Sequence, residues 1–96
     1  EAANADMAVG CTYKYLNGGP GSVAGIFVHE RYASDNSLPR FGGWFGHDES
    51  RRFLLEKGFN PIPGARGWQL SNENILSLAA IRASLELFEL VNPDLL

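Results

Sequence analysis

The strongest pattern of apolar and polar positions lies toward the C-terminal end. Leu76, Ala80, Ala83, Leu87 and Leu90 form one stripe at helical spacing, and Leu78, Ile81, Leu85 and Phe88 form a second beside it. A helix is therefore predicted from Asn74 onward. Asn72 or Asn74 can cap its start, since a short amide side chain accepts hydrogen bonds from the unpaired N–H groups of a first turn. Asn92 and Pro93 are expected to stop it. Two adjoining apolar stripes are more than a 96-residue chain can easily cover, so partner surface from outside the chain is expected.

Nearer the start, "DMAVGCTYKYL" is rich in small, β-branched and aromatic residues. It predicts a buried strand of about six residues running from Met7 toward Thr12. "SVAGIFVHE" predicts a second strand, paired with the first in a hairpin around "LNGGPG". Periodicity is then lost through "RYASDNSLPRFGGWFGHDESRR", where Gly, Pro, Ser, Asp and Asn accumulate, and a long irregular segment is expected. Phe41, Trp44 and Phe45 at its centre argue for order, because such rings are costly to leave in water. After "NPIPGARG", "WQLS" is a candidate short strand.

Composition narrows the function. Eleven acidic against eight basic side chains give a net charge of -3, and the basic ones are scattered apart from Arg51 and Arg52. Nothing is prepared to neutralise a phosphate backbone, so nucleic acid is not an expected partner. A single cysteine, Cys11, forms no internal disulfide, and no Cys/His pairing supplies metal-ligand spacing. No window approaches the ~20 apolar residues that cross a bilayer, and the first residues lack the regions of a secretory signal. The expectation is a cytoplasmic, metal-free protein without membrane attachment. The chain begins at Glu1 and ends soon after the helix, and both ends are expected to be cut ends of one partial domain spanning 1–96.

One of just two lysines, Lys14, sits at the end of the first apolar run, between Tyr13 and Tyr15 and ahead of "NGGPG". Gly19, Gly21 and Ala24 formally match G-x-G-x-x-A, but a dinucleotide fingerprint opens a helix and this one leads into a strand. A lysine at such a place can pack its stem and leave its ammonium in water. It can also form an ion pair, or present a desolvated amine for Schiff-base chemistry. The residues alone permit the last but favour the first.

The ordered set "CTYKYLNGGPGSVAGIFVHE", "GGWFGH" and "PIPGARGWQLSNENILSLAAIRASLELFE" resembles the segment of kynureninases around their cofactor lysine, from about Asp6 to Glu89. The resemblance implies an α/β fold: part of the large domain of a fold type I pyridoxal phosphate enzyme of the aspartate aminotransferase type, here a β-hairpin, long loop, short strand and C-terminal helix. It implies hydrolysis of kynurenine or 3-hydroxykynurenine to alanine and an anthranilate, in tryptophan catabolism and NAD biosynthesis, by a homodimer. Lys14 would hold pyridoxal 5'-phosphate as a Schiff base and move the substrate α-proton. Tyr13 matches a tyrosine that contacts the cofactor phosphate and passes protons. Trp44 matches a tryptophan that reaches the phosphate, in the family from the neighbouring subunit. Asn72 matches a position near the cofactor and the substrate's aromatic ring, where an asparagine leans toward the hydroxylated substrate.

On an extended strand Tyr13 and Lys14 would point to opposite faces, so both serve one site only if the chain turns there. His47 and His29 are read as ordinary loop histidines and stay outside the site. The phosphate loop, the ring-stacking aromatic, the aspartate partner of the pyridine nitrogen and the carboxylate-binding arginine of this fold cannot be assigned to residues here. The isolated chain is therefore expected to bind cofactor poorly and to be inactive. A cysteine desulfurase-type lyase is disfavoured by tyrosine before the lysine, and a non-catalytic interaction module derived from the same scaffold is the remaining alternative.

Overall fold

The computed structural model describes residues 3–91. In chain order it contains strand β1 (Met7–Gly10), strand β2 (Gly25–Val28), a 3-10 turn at Glu30–Tyr32, another at Ala65–Trp68, and helix α1 (Ile75–Glu89). The two strands form a two-stranded antiparallel sheet. The pairing is extended by the N–H of His29, which donates to the carbonyl of Asp6 at 2.9 Å. The hairpin is therefore present, but the expected buried strand is four residues long and exposed throughout, with Val9 at 80% exposure. With two strands and no layer packed on them among the described residues, apolar alternation has nothing to be buried against.

The chain divides into two compact units, one of residues 3–8 and 26–72 and the other of residues 9–25 and 73–91. In the first, the irregular segment is ordered by short polar motifs rather than by a ladder. Asp35 accepts from the hydroxyl and backbone N–H of Ser37 at 2.6 and 2.9 Å, and Asp48 accepts from the same groups of Ser50 at 2.6 and 2.8 Å. Both are Asx turns, in which a carboxylate replaces a backbone acceptor two residues away. Arg31 pairs with Asp6, donates to Asn4 Oδ1 at 3.1 Å, and stands beside Tyr32, whose hydroxyl also donates to Asp6.

The candidate strand at "WQLS" does not form. Its first residue closes the Ala65–Trp68 turn, and the Gln69 N–H is used in that closure, donating to Arg66 O at 3.1 Å. The pairing falls earlier instead, where His47 and Pro61 form an antiparallel bridge flanked by Ile62 N–H to Gly46 O at 2.7 Å and Asp48 N–H to Asn60 O at 2.8 Å. A proline in that bridge keeps the contact isolated, because it has no N–H to extend a ladder.

In the second unit α1 follows the predicted helix closely, and Asn74 is the cap: its Oδ1 accepts from Leu76 and Ser77 N–H at 3.0 and 3.3 Å. The proposed stop at Asn92 and Pro93 lies outside the described residues. The buried face is narrow. Ser77, Ile81, Ser84 and Phe88 are the sheltered positions, and Ile81, at 7% exposure, is the buried apolar residue of the described core. The stripe of Leu76, Leu87 and Leu90 stands in solvent, with Leu76 at 82% exposure, as expected for a helix with more apolar surface than this chain covers.

Candidate functional site

Lys14 lies in a loop that leaves the sheet after Gly10 and is pinned at its neck. Thr12 is buried, at 7% exposure; its Oγ1 donates to the carbonyl of Val23 and shares a hydrogen bond of 2.8 Å with Ser22 Oγ. Its carbonyl accepts from the N–H of Gly18 at 2.9 Å, which closes the loop. Inside that closure Asn17 N–H donates to Lys14 O at 3.1 Å, and Asn17 takes a φ of 53°. Asparagine is among the few side chains that adopt this left-handed conformation readily.

Gly18 is required by proximity rather than by φ. A Cβ there would overlap Ser22 Oγ and stand 2.8 Å from Ile81 Cγ1 and 3.0 Å from the Thr12 carbonyl. The close approach of loop to helix is thus purchased with a missing side chain. The loop tip is solvent-facing, with residues 13–17 all exposed. The turn also resolves the alternation problem. Lys14 Nζ lies 5.5 Å from the centroid of the Tyr13 ring, so ammonium and phenol share one side of the chain. Such a cation–π contact favours a defined direction for an otherwise mobile side chain. Every ion pair among the described residues is made by an arginine, so no carboxylate engages the lysine there. The amine is exposed, so the desolvation that suits a lysine to Schiff-base chemistry is not supplied by the described residues.

Trp44 belongs to the other unit. Its ring meets Phe53 edge-on at 5.2 Å between centroids and stays 48% exposed. The glycines around it are spacers: a Cβ on Gly43 would strike the Leu70 backbone, and one on Gly46 would stand 2.8 Å from Gln69 O. "GGWFG" is therefore laid backbone against backbone on Gly67–Leu70, and Trp44 projects from a fixed strip of chain. Phe45 is covered by the Arg52 guanidinium at 5.3 Å, whereas Phe41 remains 84% exposed. Two of the three rings thus have a packing partner, and Phe41 stays exposed.

Asn72 is exposed and stands two residues before the helix cap, a role that Asn74 fills. His47 accepts from Asn60 N–H through Nδ1 at 3.4 Å and packs on Phe59, and His29 Nδ1 caps the Glu30–Tyr32 turn. Both are loop histidines bonded to backbone. The structure therefore brings Lys14 and Tyr13 together in one unit, while Trp44 and Asn72 belong to the other. Sequence reasoning missed Thr12 and Gly18, the neck of the loop. The available signal was a lone hydroxyl residue directly after an apolar run.

No protein-family model matches the chain. Curated relatives do. Over 84 residues, 88% of this chain, it is 63% identical to the kynureninase of Stenotrophomonas maltophilia and 61% identical to that of Koribacter versatilis. Over 93 residues, 97% of this chain, it is 54% identical to the kynureninase of Flavobacterium johnsoniae. The chain corresponds to a kynureninase segment. It spans about a fifth of the length of these relatives, 20 to 22%. Among the described residues no helix is long and apolar enough to cross a membrane.

Proposed function

We propose that the whole protein carrying this segment is a cytoplasmic, homodimeric kynureninase, hydrolysing kynurenine or 3-hydroxykynurenine to alanine and an anthranilate. In this reading residues 1–96 are part of the large domain of a fold type I enzyme. The observation that carries it is the 54 to 63% identity to proteins of that name across nearly all of the chain, lysine loop included. Lys14, Tyr13, Trp44 and Asn72 are the residues of this segment that would hold pyridoxal 5'-phosphate and the substrate. The bound cofactor would supply an electron sink for cleavage between Cβ and Cγ of the substrate.

The chain's own part follows from its side chains. Lys14 would hold the cofactor through its amine and would move the substrate α-proton. The Tyr13 phenol stays on the lysine's side of the loop, where it can pass a proton to and from the side-chain carbonyl as water adds there. The Trp44 indole N–H is a donor suited to the cofactor phosphate. Asn72 presents an amide that can both donate to and accept from a ring hydroxyl, which favours the hydroxylated substrate.

The test is borohydride reduction of the whole protein with pyridoxal phosphate, followed by peptide mass mapping. A pyridoxyl mass on Lys14 and release of anthranilate from kynurenine are expected; an unmodified Lys14 refutes the assignment. The 96-residue chain alone is expected to show no turnover and little absorbance from bound cofactor, because most groups that hold the cofactor in this fold are not assigned to its residues.

A further inference from the structure

We propose that Thr12 is a positioning residue for Lys14: its hydroxyl fixes the neck of the lysine loop and thereby the direction in which the amine is presented. The inference rests on the reading of Lys14 as the cofactor lysine. Residues 13–17 are all exposed, so the loop tip has little packing of its own to direct it. Its two ends are the buried residues Thr12 and Gly18, joined by the Gly18 N–H to Thr12 O hydrogen bond of 2.9 Å. Thr12 in turn is held by its hydroxyl, donating to Val23 O and bonded to Ser22 Oγ at 2.8 Å.

A buried hydroxyl adds nothing that valine would not supply by burial alone, and it brings two hydrogen-bonding obligations. What it adds is direction. A methyl group tolerates rotation and sliding, whereas a donor aimed at Val23 O with an acceptor for Ser22 allows one orientation of residue 12. Lys14 follows two residues later with only Tyr13 between, so a tilt at the neck is carried directly to Nζ.

The experiment compares Thr12→Val, Thr12→Ser, Ser22→Ala and Lys14→Ala in the whole protein. One readout is the rate at which the apoprotein, mixed with pyridoxal 5'-phosphate, acquires a borohydride-stable label on Lys14. The other is the separate behaviour of kcat and KM for kynurenine. Thr12→Val is expected to slow labelling about tenfold and to lower kcat by about 10- to 100-fold with KM within about threefold, the pattern of a misplaced reacting group. Thr12→Ser keeps the hydroxyl and is expected within about threefold of wild type. Ser22→Ala leaves the Val23 bond and is expected to give a smaller loss in the same direction.

A folded Thr12→Val that labels and turns over like wild type overturns the proposal, as does a Thr12→Ser as slow as Thr12→Val. Should Thr12→Val unfold, Ser22→Ala decides, and its unchanged labelling overturns the proposal. A wild-type protein labelled elsewhere than on Lys14, with Lys14→Ala unchanged, instead overturns the reading of Lys14 on which the proposal rests.

Discussion

Replacing Gly18 with alanine inserts one methyl group between loop and helix. Its carbon would overlap Ser22 Oγ and lie 2.8 Å from Ile81 Cγ1 and 3.0 Å from the Thr12 carbonyl. The serine can rotate away only by giving up its bond to Thr12, Ile81 Cγ1 moves only by leaving its preferred χ1 or shifting α1, and the carbonyl is committed to Gly18 N–H. Forcing a methylene into such a place typically costs about 1–3 kcal/mol. Loss of backbone freedom in the unfolded chain returns about 0.4–1 kcal/mol, since Gly18 is not in the left-handed region. Mid-range values of about 2 and 0.7 kcal/mol leave a net destabilisation of about 1.3 kcal/mol. At a urea slope of about 1–3 kcal/mol/M the midpoint should fall by about 0.4–1.3 M. The assay is urea unfolding of the whole protein that carries this segment, followed by far-ultraviolet dichroism. Gly10→Ala is the control, because a Cβ there meets nothing within 4 Å. A Gly18→Ala midpoint equal to or above that of Gly10→Ala would refute the reasoning.

Other outcomes follow from the same geometry. Asn74→Ala removes the acceptor for Leu76 and Ser77 N–H and should cost about 1 kcal/mol, read as lost helical dichroism at fixed urea. Gly43→Ala places a carbon against the Leu70 backbone, which has no rotamer to yield, so a loss of about 3 kcal/mol or more is expected, with altered tryptophan fluorescence. The Ser37 hydroxyl and backbone N–H hold Asp35 below the ordinary aspartate range, and Ser50 does the same for Asp48. A carboxyl whose folded-state pKa is depressed contributes stability above its unfolded value and loses it as pH falls through the folded one. Both Asx turns should therefore persist at pH values where free aspartate is already protonated; carboxyl carbon NMR would check this, and titration at the free-peptide midpoint would contradict it.

Much of α1 could be read from the sequence because its pattern is local: stripe spacing, cap and length are set by residues within a few turns. The hairpin was legible for the same reason. The failed strand at "WQLS" shows where local reading ends, since Gln69 was diverted by a turn with Arg66 and by backbone contact with Gly43 and Gly46 from a distant loop. β1 stays exposed because nothing among the described residues is layered on it, which no pattern within Met7–Gly10 reveals. Lys14 and Tyr13 were singled out through the resemblance of the stretch around them, and the structure adds that they share one side of the loop. Thr12 was not singled out, because its importance lies in bonds to Ser22 and Val23 that sequence distance conceals.

The neck of the lysine loop has one more consequence, for the order in which its residues can change. Thr12, Gly18 and Ser22 share partners in a single small cluster, so their substitutions should not combine independently. Once Ser22 is alanine, its hydroxyl no longer stands where a Cβ on Gly18 would go, and Gly18→Ala should be milder than in the original background. With Thr12 as valine, Ser22 has already lost that partner, and its own replacement should matter less. The loop would then drift by paired steps: a tolerated change at one member would open a route at another that is closed while the trio is intact.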